Sequence, residues 1–326
     1  YRYVLSGSLL GVELNNLRSE PVGYMDVKEM YPLDIEEFYH AVGMADHVIA
    51  KLRQCWQDKV PVDEFVHRRL MQAFRLYLVI GGMPHAVQTY LDTNNLQDVL
   101  AVQKSILQEY KRDIMKYKRD DSSQKLYIDE VFQLIPSELN AKNKRFILKS
   151  LNEKARFASY ENSFLWLRDA GVALPTYNIE EPKLPLLLAK TRNLFKLFQS
   201  DVGLLTSQFA GGIQLKLLGD NQAINYGAIY ENVVAQELKA HGFDLYYYNS
   251  KRLGELDFVV EYHGNVLPIE VKSGKDYERH NALSNVMSSA EYALPEALVL
   301  CNGNVSVDGK VVYMPIYMLM FLEKEQ

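Results

Sequence analysis

Two short segments near the C-terminus limit the fold of this chain more than any other feature. Residues 255–261 and 266–272 read as strands, and His263-Gly264-Asn265 separates them as a turn. In a strand, residues two apart share a face. Leu256, Phe258 and Val260 then point one way, and Glu255 and Asp257 the other. In the second segment Leu267, Ile269 and Val271 share a face, and Glu270 and Lys272 share the opposite one. If the apolar faces join one core, the charged faces meet on the other side.

The surrounding text supplies the rest of an α/β unit on a mixed sheet. Residues 224–241 have a helical pattern stopped by Gly242, and 281–292 have another. Tyr246-Tyr247-Tyr248 reads as a core strand, as does 297–301, and Asp308-Gly309 suits a hairpin turn between 305–307 and 310–313. Upstream, Phe65, Val66, Leu70, Phe74 and Tyr77 recur at helical spacing until Gly81-Gly82-Met83-Pro84 ends the run. Further helices follow from about residue 86 and over 96–117.

Residues 120–200 read as a small helical module. Between 141 and 160 there are six basic residues (Lys142, Lys144, Arg145, Lys149, Lys154, Arg156) and one acid, Glu153. The ordinary reading is a solvated helix face. The sharper one is phosphate neutralisation on DNA through Lys142, Lys144, Arg145 and Lys149. Residues 163–171 resemble the last helix of a winged helix-turn-helix, with 184–198 supplying its wing strands. Such modules also bind proteins.

An acid–acid–lysine cluster has a chemical use. Asp257 and Glu270 can hold Mg²⁺, a hard cation that prefers oxygen ligands, with the carbonyl of Val271 as a natural third ligand. Lys272 could orient an attacking water or neutralise developing charge. Glu231, on the preceding helix, is the remaining acid well placed in order. The plainer reading of Glu270 and Lys272 is a solvated strand face, and of Glu231 a surface helix residue. Glu255 reads as an exposed strand end, and His280 as a substrate contact.

The series Glu231, Asp257, Glu270-Val271-Lys272 resembles the restriction-endonuclease-like, PD-(D/E)XK, nuclease fold. The stretches 227–238, 255–258 and 268–274 also resemble the C-terminal domain of unknown function found behind many prokaryotic AAA-type ATPases. The N-terminal half fits the same family. Residues 1–8 look like a sensor-1 strand, with Ser6 as its nucleotide-side residue. Residues 30–38 look like the next family block, and 78–84 like its helical lid. The resemblance implies four parts: an ATPase-core remnant over 1–40, a helical lid region over 41–118, a winged-helix-like module over 119–202 and a restriction-endonuclease-like domain over 203–326. The fold class is mixed α/β and α, multidomain. The implied activity is Mg²⁺-dependent phosphodiester hydrolysis of DNA. The rival is a non-catalytic regulatory module that binds nucleic acid or protein.

The chain departs from the ATPase pattern. A P-loop needs G-x-x-x-x-G-K-[ST], and neither Gly274-Lys275 nor Gly309-Lys310 has the earlier glycine or the following hydroxyl. ATP is expected only with an upstream P-loop part, and the opening at Tyr1 inside a strand-like run agrees with missing upstream sequence. Leu126-Tyr127-Ile128-Asp129-Glu130 mimics a Walker B strand but comes after the sensor-like strand, so a helical surface pair is the plainer reading. Two cysteines far apart, Cys55 and Cys301, argue against a zinc site or a disulfide framework and suit a reducing cytoplasm. A net charge of −5 is unlike a general nucleic-acid binder, the basic run being the local exception. No apolar run is long enough to cross a bilayer.

Overall fold

The structure, a computed structural model, describes residues 26–116, 122–141, 144–147, 157–221 and 224–324, with Val4 and Gly7. Ser6 and the rest of the sensor-like stretch 1–8 apart from Val4 and Gly7, with Lys142, Lys149, Lys154 and Arg156, lie outside the described residues.

Among the described residues, seven helices come first: α1 Ile35–Ala41, α2 Asp46–Asp58, α3 Glu64–Ile80, α4 Pro84–Thr93, α5 Leu96–Lys116, α6 Ser122–Asn140 and α7 Phe157–Asp169. Strand β1 Ala173–Ile179, a 3₁₀ turn at Leu186–Ala189 and strand β2 Lys190–Gln199 follow, then α8 Val202–Ser207, α9 Ile213–Leu218 and α10 Tyr226–Ala240. The last part is β3 Tyr246–Ser250, β4 Gly254–Tyr262, β5 Asn265–Val271, α11 Asn281–Met287, β6 Ala297–Cys301, β7 Ser306–Asp308, β8 Val311–Pro315 and a 3₁₀ turn, Ile316–Phe321.

The protein is mixed α/β. One eight-stranded sheet runs β2-β1-β3-β4-β5-β6-β8-β7, with parallel and antiparallel neighbours. Strands β1 and β2 therefore belong to the same sheet as the strands after residue 246, and the sheet continues across the expected boundary at 202/203. Of the residues expected as wing strands, 184–198, only β2 forms a strand; its partner β1 comes from the earlier segment 173–179 and lies parallel to β3. Residues 126–130 lie inside α6 and form no strand, so the Walker-B likeness is a helical pair, the plainer reading. Cys55 and Cys301 are buried free thiols. Among the described residues, no helix is long and apolar enough to cross a membrane.

Helix α10 is the centre of the packing. Every residue from Ala228 to Leu238 is buried, charged and polar ones included. A helix buried all round has no solvated face, so each polar side chain on it needs a partner. Asn232 accepts the Gln199 N–H at 2.8 Å and donates to the Gln199 carbonyl at 3.0 Å. Gln236 accepts from the Val202 N–H at 2.9 Å and donates to the Tyr77 hydroxyl at 2.7 Å. Glu237 accepts the N–H of Ile35 at 3.1 Å and the Tyr77 hydroxyl at 3.3 Å. One helix thus ties the end of β2, the start of α8 and the start of α1.

The stop signal after α3 has a tertiary cause as well as a local one. Gly82 accepts the N–H of Leu33 at 2.7 Å, and its own N–H donates to Asp201 at 2.6 Å. A Cβ on Gly82 would stand 2.0 Å from the Leu33 carbonyl oxygen, and one on Gly81 would stand 2.3 Å from the Asp201 carboxylate. The two sequence blocks at 30–38 and 78–84 are therefore packed backbone to backbone. Gly82→Ala should cost about 3 kcal/mol, because the obstacle is backbone and cannot rotate away. A urea denaturation midpoint unchanged from wild type would refute this account of the Gly-Gly pair.

The same junction carries a titrating pair. Asp34 caps α1 and lies 3.5 Å from the Nε2 of His241, whose Nδ1 donates to the Leu322 carbonyl at 2.8 Å. Burial opposes the charge on His241, but Asp34, Glu237 and that carbonyl prevail and raise its pKa to about 9. Burial pushes Glu237 up to about 8. In both cases the folded chain holds a proton that the unfolded chain releases at lower pH. The stabilisation from His241 is therefore complete below about 6.5 and is lost as the pH rises toward 9, and Glu237 acts in the same direction between its ordinary value and 8. The melting temperature should fall from pH 6.5 to 9, and His241→Gln should flatten that profile.

Candidate functional site

Glu231, Asp257, Glu270 and Lys272 come from three successive elements, α10, β4 and the end of β5. Asn225 caps α10, accepting the Gly227 N–H at 3.3 Å, and the helix carries Glu231 inward to 2 % exposure. Its carboxylate is no surface group. It pairs with Lys144 through one oxygen and with Lys196 at 3.5 Å through the other.

Asp257 reaches the site through an irregularity in β4. Against β3, Tyr246 pairs with Val259 but Tyr248 pairs with Leu256, so Asp257 and Phe258 together stand opposite Tyr247. Such a bulge breaks the alternation of faces and re-aims a side chain. Leu256 and Val259 accordingly join the core that holds Tyr246 and Tyr248, whereas Phe258 and Val260 join the core that holds α10. The expectation that Leu256, Phe258 and Val260 share a face is thus corrected. The alternation in β5 does hold: Leu267, Ile269 and Val271 all enter the α10 core. Pairing of Phe258 with Ile269 brings the preceding Asp257 beside the following Glu270, and Asp257 accepts the Val271 N–H at 2.8 Å.

Glu270 is 6 % exposed, and Lys272 donates to it at 2.8 Å. The other Glu270 oxygen, Oε2, is buried with no hydrogen-bond partner. Solvated-strand readings therefore fail for Glu270, as the surface reading does for Glu231. Glu255 is no free strand end either: Lys196 approaches it at 2.9 Å, and Asn249 donates to its second oxygen. His280 is 8 % exposed and engaged with the Tyr313 hydroxyl at 2.7 Å and Ser284 at 3.2 Å, which makes it a core histidine in place of a substrate contact.

Sequence reasoning missed Lys196. It lies on β2, is wholly buried, and has the Tyr247 ring 5.0 Å away. A lysine in an otherwise apolar run, Leu194-Phe195-Lys196-Leu197-Phe198, was the available signal. Lys144, expected on a solvated or DNA-facing surface, has its ammonium on Glu231. Arg145 is half-buried beside it.

The electrostatics of the cluster are uneven. Burial and the charges of Glu231 and Glu270 hold the Asp257 carboxyl well above the ordinary range. Burial also raises Glu270, with Glu231 adding to it and Lys272 opposing. Burial would raise Glu231 too, but Lys196 and Lys144 together lower it. Burial works against the charge on Lys196, yet Glu231, Asp257 and Glu255 keep its pKa raised. The donor set suits a hard cation, since Asp257 and Glu270 offer only oxygen and Glu270 Oε2 has no other partner. Among the described residues, no three His, Cys, Asp or Glu side chains are grouped to hold a metal. Two carboxylates are sufficient for Mg²⁺ when water and substrate phosphate complete its shell.

Residues 71–214 match the model of a domain of unknown function, DUF8612, and residues 226–319 match that of another, DUF4143. The second is often found in C-terminal regions associated with AAA ATPases. Comparisons with curated proteins and with solved structures returned no match. The acids Glu231, Asp257 and Glu270 fall in the second matched segment, while Lys144 and Lys196 fall in the first. The charge cluster therefore joins the two segments. Lys196→Met should destabilise the protein by about 3–5 kcal/mol, because it leaves buried carboxylates without their cation. Adding Glu231→Gln should recover part of that loss. Strict additivity of the two substitutions in chemical denaturation would rule out the pairing.

Proposed function

We propose that Asp257, Glu270 and Lys272 form a Mg²⁺-dependent centre for phosphodiester hydrolysis, acting on DNA, in a chain of the AAA-type ATPase kind with a restriction-endonuclease-like C-terminal part. The observation that supports this best is the cation deficit at Asp257 and Glu270. Both carboxyls are pushed up in pKa by burial and by neighbouring acids, and one Glu270 oxygen is buried without a partner. Buried like charges at a strand end are costly for stability alone, and such perturbed groups cluster at functional sites.

In this reading Asp257 and Glu270 hold the ion. Lys272 is anchored on Glu270 and presents a cation beside the attacked phosphate, where it offsets developing negative charge. Glu231 stands behind them as a fixed acid that tunes both carboxyls. The bound ion would supply Lewis acidity and a more acidic water. Nucleotide hydrolysis belongs to a P-loop that this sequence does not contain, and the two buried thiols fit a reducing cytoplasm.

A second reading, a non-catalytic module that binds nucleic acid or protein under ATPase control, is favoured by one observation. Lys144 and Lys196 already neutralise Glu231 inside a closed cluster.

Calorimetric titration with Mn²⁺ separates the two. The enzyme reading expects binding to the intact chain, none to Asp257→Ala, and binding without cleavage of DNA in Lys272→Ala. Absence of Mn²⁺ binding to the intact chain, or full cleavage by Lys272→Ala, would sink it.

A further inference from the structure

The described segment 144–147 lies across the acid cluster from the side of β2. The Phe146 N–H donates to the Phe195 carbonyl at 3.0 Å, and the Ile147 N–H donates to Glu138 at 2.8 Å. The Phe146 ring stacks on Phe195 and meets Phe164 edge-on. From this strap Lys144 sends its ammonium to Glu231.

Three features set Lys144 apart from the other lysine on Glu231. Its backbone is left-handed, with φ 48, a conformation that a side chain of this kind adopts only at a cost. Its ammonium lies over the first turn of α10, 3.6 Å from where a Cβ on Gly227 would be, and a helix N-terminus disfavours positive charge. Its side chain keeps 22 % exposure, so water can receive it on release. Lys196, by contrast, is wholly buried within a strand and holds Glu255 as well. Glu231 thus has two cations, one permanent and one poorly placed, while Asp257 and Glu270 are short of one.

We infer that Lys144 is a displaceable internal counterion that competes with a divalent cation for the acid cluster, and that cation binding releases the 144–147 strap. The inference rests on the metal-centre reading of Asp257 and Glu270. A doubly charged ion there neutralises the field that holds Lys144 and repels its ammonium. Lys196 remains to balance Glu231, so the helix keeps its place when Lys144 leaves. The cluster is then closed in the absence of the cation and open in its presence.

The test uses the whole chain, with Mn²⁺ alone as the probe. Lys144→Met should bind Mn²⁺ at least tenfold more tightly than wild type by calorimetry, and Mn²⁺ should raise its melting temperature more. In the wild-type chain, Mn²⁺ should speed hydrogen exchange of the Phe146 and Ile147 amides. Phe146→Ala keeps the ammonium but loosens the strap, and should also bind more tightly. This variant keeps the inference open to refutation if Lys144→Met fails to fold. Binding to wild type and to the variants with equal affinity, or exchange unaltered by bound Mn²⁺, would overturn the inference and leave the metal centre standing. No binding by any of these chains would overturn both. Binding by Lys144→Met alone would also overturn the inference, because the wild-type lysine would then block the cation instead of yielding to it.

Discussion

The burial of α10 is the constraint from which the rest of the structure follows. Its apolar side chains fill the core between the sheet and the N-terminal helices, and Asn232, Gln236 and Glu237 are carried in with them. Buried polar groups left alone would cost more than the packing around them returns. Each is therefore matched to a backbone N–H or a hydroxyl on a different element. The helix cannot shift or rotate without breaking those bonds. Glu231, on the same helix five residues before Gln236, is held by the same rigidity, which is what a site assembled from several elements requires.

The charge cluster extends that logic to ionised groups. Glu231, Glu255, Asp257 and Glu270 face Lys144, Lys196 and Lys272, all drawn from strands, a helix and a short strap that meet at one end of the sheet. Buried ion pairs of this kind contribute little net stability, because desolvation offsets attraction. What they provide is position. The lysines are concentrated on Glu231, while Asp257 leans on a backbone N–H and Glu270 keeps one bare oxygen. On that asymmetry rests the proposal that the cluster takes a further cation.

Much of the last third of the chain was legible in its sequence. The β5 face of Leu267, Ile269 and Val271 follows from alternation, and α10 from helical spacing. The faces of β4 were not legible, because the bulge at Asp257-Phe258 depends on pairing with Tyr246 and Tyr248. Nothing in residues 255–261 announces it. Lys196 was hidden for a related reason. Its partners lie on α10 and β4, dozens of residues away, and local composition cannot reveal a long-range ion pair. The placement of β1 and β2 was likewise out of reach, since parallel pairing of β1 with β3 joins segments with β2 and three helices between them.

The sequence by itself determined the types and order of most C-terminal elements and the identities of the acids and the lysine at the strand ends. These depend on periodicity, turn chemistry and residue type, which are local. Only the tertiary structure decided which side of the sheet Asp257 serves, that Glu231 is buried, and that Lys144 and Lys196 share it. Those outcomes depend on register and burial, where the free energy of a charge is set by neighbours distant in the chain.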